Sequence, residues 1–126
     1  VTSCLDSWAI LRWLNGIEPA FGAVDRLIDE RPVMSWVNVG EVYYVTWRSE
    51  GAGRADEVTR ALGSSLRLDP ATPERVLAAS RIKAEHPMAF ADAFAVATAL
   101  AFDATLLTGA PEIIDAPLDL EILDLR

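Results

Sequence analysis

Residues 90–109 read FADAFAVATALAFDATLLTG, and this stretch decides the fold. From Phe90 to Phe102 the run is apolar except for Asp92 and Thr98, and it is rich in alanine. It is too long for a buried strand and its small residues suit close helix packing, so it reads as a core helix. After Asp103, the segment ATLLTG is a short apolar run closed by Gly109, which reads as a buried strand. A buried helix delivered directly into a buried strand is the second half of a strand–helix–strand unit. Such units pair their strands in parallel through right-handed crossovers, leaving helices on both faces of the sheet.

Working outward, the same alternation recurs. Towards the amino end, SCLD is a strand-like run and SWAILRWLNG a helix closed by Asn15 and Gly16. EPAFGAVDRLIDERP is helical up to Pro32, VMSWV is strand-like, and NVGEVYYVTWRSEG predicts a helix begun by Asn38 and ended at Gly51. RADEVTRALG is a short helix, SSLRLD a strand, and TPERVLAASRIKAEH a helix capped by Thr72 with Pro73 in its first position. Beyond Gly109, LEILDL is a last strand. The expectation is an α/β chain around a parallel sheet of four to five strands, with ligands bound beyond the strands' carboxyl ends.

A length of 126 residues fits one domain over 1–126, able to bury roughly two-thirds of the surface its unfolded chain exposes. Hydrophobic residues are 52% of the chain, well above a disordered composition. The longest near-apolar stretch, Pro87 to Ala104, is broken by Asp92, Thr98 and Asp103, which argues against a membrane span. The first residues carry no basic segment followed by an apolar signal core, so a cytoplasmic location is the expectation. The single cysteine, Cys4, has no disulfide partner and lies in an apolar lead-in, where a small core residue is the simpler reading than a nucleophile. Nineteen acids against eleven bases give a net charge of −8, which disfavours non-specific coating of nucleic acid but not a local nucleic-acid site built with metal ions.

Three carboxylates stand where carboxylates are expensive. Asp6 lies between SCL and SWAILRWL, Glu41 within VNVGEVYYVTW, and Asp92 within the helix quoted above. An ionised carboxylate in an apolar interior must be paired, hydrogen-bonded, neutralised or bound to metal. Taken singly, each can be explained by helix capping or by the positive end of a helix. Together, at strand-to-helix junctions, they would converge on one sheet edge and repel one another without a cation; magnesium or manganese, which prefer oxygen ligands, relieve that repulsion. The chain has no Cys/His set for zinc, no GxxxxGK loop and no GxSxG elbow.

The pieces LDSWAIL, NVGEVYYV, FADAFAVATAL and ATLLTGAPEI, in this order and spacing, resemble the PIN domain family, and within it the VapC-type ribonuclease toxins of toxin–antitoxin pairs. The resemblance spans nearly the whole chain. It implies a three-layer α/β/α sandwich and an endoribonuclease dependent on magnesium or manganese. On the matching positions, Asp6, Glu41 and Asp92 are both the catalytic and the metal-binding acids, with Ser7 and Thr108 as supporting hydroxyls. The family pattern after the late strand is threonine, any residue, aspartate; here Thr108 and Gly109 are followed by Ala110. Glu112 falls where many members carry a further acid, and a helix-start glutamate after Pro111 explains it equally well. The altered position implies a chain impaired in cleavage, or a PIN-fold interaction module without catalysis.

The resemblance further implies RNA as substrate, a VapB-type antitoxin and a homodimer. Arg12, Arg48, Arg54, Arg60, Arg75, Arg81 and Lys83 are candidates to meet RNA, and Trp8, Trp13, Trp36 and Trp47 are many tryptophans for so short a chain, suited to partner surfaces where exposed. Two rival readings are weaker. A phosphoacceptor receiver-like domain would use Asp69 but needs a second early acid beside Asp6; a dehalogenase-like phosphatase needs an aspartate where Trp8 stands.

Overall fold

The computed structural model describes residues 2–126. Five short parallel strands form one sheet: β1 (Ser3–Leu5), β2 (Val33–Ser35), β3 (Arg67–Asp69), β4 (Thr105–Thr108) and β5 (Ile122–Asp124), in the order β3-β2-β1-β4-β5. Every strand but β3 carries adjacent apolar residues that point to opposite faces, so the period of two sorts them into two cores. Cys4, Val33 and Leu106 pack on one face with α5 (Pro73–Glu85) and α6 (Phe90–Ala101); Leu5, Met34 and Leu107 pack on the other with α1 (Ser7–Leu14), α2 (Ala20–Asp25), α3 (Trp36–Glu50) and α4 (Ala52–Ser65). The three-layer α/β/α arrangement agrees with the sequence reading. A short α7 (Pro111–Ile114) follows β4.

Several boundaries differ from expectation, each for a local reason. The helix α3 begins at Trp36, because Ser35 at the end of β2 turns its hydroxyl to accept from the Val37 N–H at 3.1 Å. Asn38 is therefore inside the first turn and is not its cap. The segment 18–32 divides into α2 and a 3-10 turn (Ile28–Glu30) in place of one helix, and α4 extends back to Ala52. Thr72 caps α5 with Pro73 in the first turn, as its sequence indicates. Among the described residues no helix is long and apolar enough to cross a membrane.

Candidate active site

The chain moves from β1 outward to β2 and β3, then returns to lay β4 on the other side of β1. The β1/β4 junction is the point where strand order reverses, and the adjacent helices diverge there to leave a crevice at the carboxyl ends. The register pairs Leu5 with Leu107, which puts Asp6 and Thr108 next along the two strands.

Asp6 is 2% exposed and caps α1. One carboxylate oxygen, Oδ1, accepts from the Ala9 N–H at 2.8 Å, and the other, Oδ2, accepts from the Thr108 hydroxyl. That hydroxyl in turn accepts from the Ala110 N–H at 3.0 Å. Capping and site geometry are thus the same geometry, and Asp6, not Ser7, is the cap. Ser7 instead donates to Glu41 Oε1 at 2.7 Å. The same oxygen accepts from Asn38 Nδ2 at 3.2 Å, and Asn38 Nδ2 also donates to the Ala91 carbonyl at 3.0 Å. This second bond ties α3 to α6 one residue before Asp92. Asp92 is half-buried in the first turn of α6, and Glu112 is exposed in the first turn of α7.

Asp6 and Asp92 feel the neighbouring acids. Burial pushes the Asp6 carboxyl up to about 7, with Asp92 and Glu41 adding repulsion against the lowering effect of its two hydrogen bonds. Burial likewise raises Asp92 to about 6, with Glu41 and Glu112 adding repulsion and a backbone hydrogen bond from Ala89 opposing it. None of the four takes part in an ion pair among the described residues. The acids gather at one sheet edge, yet no three of the described His, Cys, Asp or Glu side chains close into a ready-made ligand cage; Glu41 is occupied by Ser7 and Asn38. The donor set suits a hard divalent cation: carboxylate oxygens repelling one another, a hydroxyl, and the buried Asn38 Oδ1, which has no partner.

Ala110 is 6% exposed and occupies the N-cap of α7 in ordinary extended geometry, with φ −69° and ψ 115°. It offers no side-chain cap, and its methyl joins the core cluster that includes Ala93 and Ile113. An aspartate could take this backbone without strain, beside the Thr108 hydroxyl.

Two features escaped the sequence reading. Asn38 reads in the sequence as a helix start, although its i, i+3 spacing to Glu41 on one helix places the two in reach. Trp8 and Gly109 form the second: a Cβ on Gly109 would stand 2.2 Å from Trp8 Cζ2, so the indole lies directly on the backbone of the late turn. Of the other candidates, Cys4 is fully buried and burial pushes its thiol far up, consistent with a core residue. Asp69 is held by the Arg75 guanidinium at 2.8 and 3.4 Å, a structural pairing in place of the exposed acceptor that the receiver-like reading needs.

The PIN domain family model matches residues 3–115. Comparison with curated protein sequences gives no match. Among solved structures, the chain is similar to a chain of VapBC2 from Rickettsia felis bound to a promoter DNA fragment, with 14% identity, full coverage of both chains and a TM-score of 0.78. It is similar to a chain of DNA-bound VapBC from Salmonella typhimurium, at 18% identity, 98% coverage of each chain and a TM-score of 0.78. It is also similar to VapC20 from Mycobacterium tuberculosis, a sarcin–ricin loop cleaving toxin, at 19% identity, coverage of 93% of this chain and 96% of that one, and a TM-score of 0.73.

Proposed function

The chain belongs to the PIN domain family, and on that premise we propose that it is a VapC-type endoribonuclease dependent on magnesium or manganese. Its cleavage is weakened by Ala110, and a VapB-type antitoxin neutralises it. The observation that carries this reading is the mutual repulsion of Asp6, Glu41 and Asp92, distant in sequence and without an ion pair among the described residues, near the switch point of the sheet. Hydrogen bonds and protonation offset part of the cost of bringing these acids together, and a bound cation would offset the rest with the carboxylates ionised.

Asp6, Glu41 and Asp92 would hold the cation, and a bound cation supplies charge neutralisation at the phosphate and a water acidic enough to attack it. The rest is the work of the chain. Thr108 and the Ala9 N–H fix the Asp6 carboxylate with one lone pair of each oxygen free. Ser7 and Asn38 fix Glu41. In the hydrolysis, the water oxygen bonds to phosphorus, the bond to one sugar oxygen breaks, and that oxygen leaves with a proton. Glu112, near enough to raise Asp92, is the acid available to compensate for Ala110. Loss of one carboxylate from such a pocket commonly costs on the order of a hundredfold in rate.

The partners follow from the same reading. Structures similar to this chain are VapBC complexes, and Trp36 and Trp47 are about half exposed on α3, available to an antitoxin segment or a second copy. The cytoplasm is the expected place of action. A second reading, an interaction module that has lost catalysis, is favoured by one observation: the Ala110 methyl is absorbed into the core cluster.

Cleavage assays with manganese separate the two. The panel should include structured RNAs, among them the sarcin–ricin loop that the M. tuberculosis protein cleaves. The chain with Ala110 should be nearly inert and Ala110→Asp should cleave about a hundredfold faster or more. Equal inertness of both forms would hand the function to the interaction reading, and brisk cleavage by the alanine form would assign the missing role to Glu112.

A further inference from the structure

We propose that Arg12 is a substrate-positioning residue that grips an RNA phosphate next to the scissile one, held in place by the Trp8 indole. The inference rests on the nuclease reading and extends it to a residue outside the carboxylate cluster. Trp8 follows Ser7 on α1 and lies against Gly109, so its ring forms the wall beside the Thr108–Ala110 turn. The Arg12 guanidinium carbon stands 4.1 Å from the centre of that ring. Helical side chains lean towards the helix amino end, so Arg12, one turn on, reaches back over Trp8 towards the carboxyl edge of the sheet. The guanidinium is thereby one indole away from the turn whose threonine holds Asp6.

What Arg12 does not do is equally informative. It makes no ion pair among the described residues, whereas Arg54, Arg75 and Arg126 are each committed to acids. It does not figure among the groups that influence Asp6 or Asp92, so its guanidinium is not engaged with these carboxylates. A guanidinium stacked on an aromatic ring keeps its in-plane N–H donors free for an oxyanion, with its conformational freedom already reduced. In a chain of net charge −8, a polyanion approaching an acidic crevice needs such a fixed cation at the rim. The bland role, a cation in the last turn of α1 favouring the helix dipole, would affect folding alone.

The Ala110 chain allows binding to be measured without rapid turnover. Anisotropy of a fluorescein-labelled RNA stem-loop in magnesium, repeated over a range of salt, reads both affinity and the number of phosphate contacts. Arg12→Ala should weaken binding about tenfold and lower the slope of log K against log salt by about 0.7, the loss of one single-strand phosphate contact. Arg12→Lys should regain most of the slope but only part of the affinity, and Arg67→Ala, an exposed arginine stacked on Phe102 at the amino end of β3, should match the parent. An unchanged dissociation constant and slope in Arg12→Ala, with RNA still bound, would overturn the role of Arg12 alone. Absence of RNA binding by both the Ala110 and the Ala110→Asp forms would overturn the nuclease reading and this role with it.

Discussion

Thr108 donates its hydroxyl to Asp6 across 102 positions of sequence. The bond is a product of topology: β1 and β4 are neighbours only because β4 returns to the centre of the sheet, and the Leu5–Leu107 pairing sets the two residues opposite each other. It is also directional. The hydroxyl accepts from Ala110 N–H, which leaves its own proton for the carboxylate. Thr108 therefore supports the ionised form of an acid whose burial opposes ionisation.

Thr108→Val keeps the shape and removes the donor. The variant should raise the Asp6 pKa further, since the lost bond is one that lowers it. At pH 8, urea denaturation should show a deficit of about 1–3 kcal/mol for the buried acceptor left unpaired. The deficit should shrink at pH 5, where Asp6 is protonated in both proteins. An equal deficit at the two pH values would mean that the bond does not favour the charged carboxylate.

Gly109 is the glycine whose missing side chain the packing requires, because Trp8 occupies the space of its Cβ. In Gly109→Ala the indole must move, with a cost of about 1–3 kcal/mol by analogy with overpacked cores. Thermal denaturation and a shift of tryptophan emission report it. Combining the change with Trp8→Leu should recover part of the loss, so that the two substitutions are non-additive; full additivity would show that the ring and the turn do not share this space.

How much of this could be read from the chain depends on where the information lies. The order of strands and helices is legible because most strands are short apolar runs and several helices carry their own caps, Thr72 and Pro73 being the clearest. Asp6, Glu41 and Asp92 stand out in the sequence because acids in apolar stretches are anomalous without any knowledge of contacts, and the repulsion of Asp6 by the other two is a tertiary fact. The start of α3 was misjudged because Ser35 and Asn38 are both good caps, and only the end of β2 at Ser35 decides between them. The Asn38 bond to the Ala91 carbonyl and the seating of Trp8 on Gly109 are tertiary: neither leaves a local trace beyond a permissive residue type.

Partner binding makes a surface prediction. Trp36 is 45% and Trp47 is 49% exposed, on the same helix, and the Tyr43 ring leans against Trp47 at a tilt of 58°, 5.7 Å between ring centres. Large aromatic side chains left in water are the usual anchors of interfaces. Co-expression with a candidate VapB-type antitoxin, followed by light scattering, should give a complex heavier than a heterodimer. Trp36→Ser together with Trp47→Ser should reduce its mass or abolish it while the isolated chain remains folded. A strictly monomeric species at high concentration, with no partner retained, would reject this assignment.

The raised carboxyls make stability depend on pH with a definite sign. Asp6 titrates at about 7 and Asp92 at about 6 in the folded chain, against about 4 for an unfolded aspartate. The unfolded state therefore gives up these protons first as pH rises. Their contribution is fully present below about pH 4 and is lost as pH climbs through the folded values, for the deeply buried Asp6 on the order of a few kcal/mol. Other acids titrate in the same range, so the comparison is with Asp6→Asn and Asp92→Asn, which cannot ionise there: without metal, the parent should fall behind both as pH rises from 4 to 8. A cation bound to the ionised pocket reverses the trend. Manganese should raise the melting temperature of the parent at pH 8 and hardly at pH 5, and calorimetry at pH 8 should show its binding weakened in Asp92→Asn. If manganese stabilised Asp92→Asn as much as the parent, this acid would be a helix-start residue and not a ligand; if the metal-free parent gained on the asparagine variants with rising pH, the repulsion among these carboxylates would have to be compensated by a group outside the cluster.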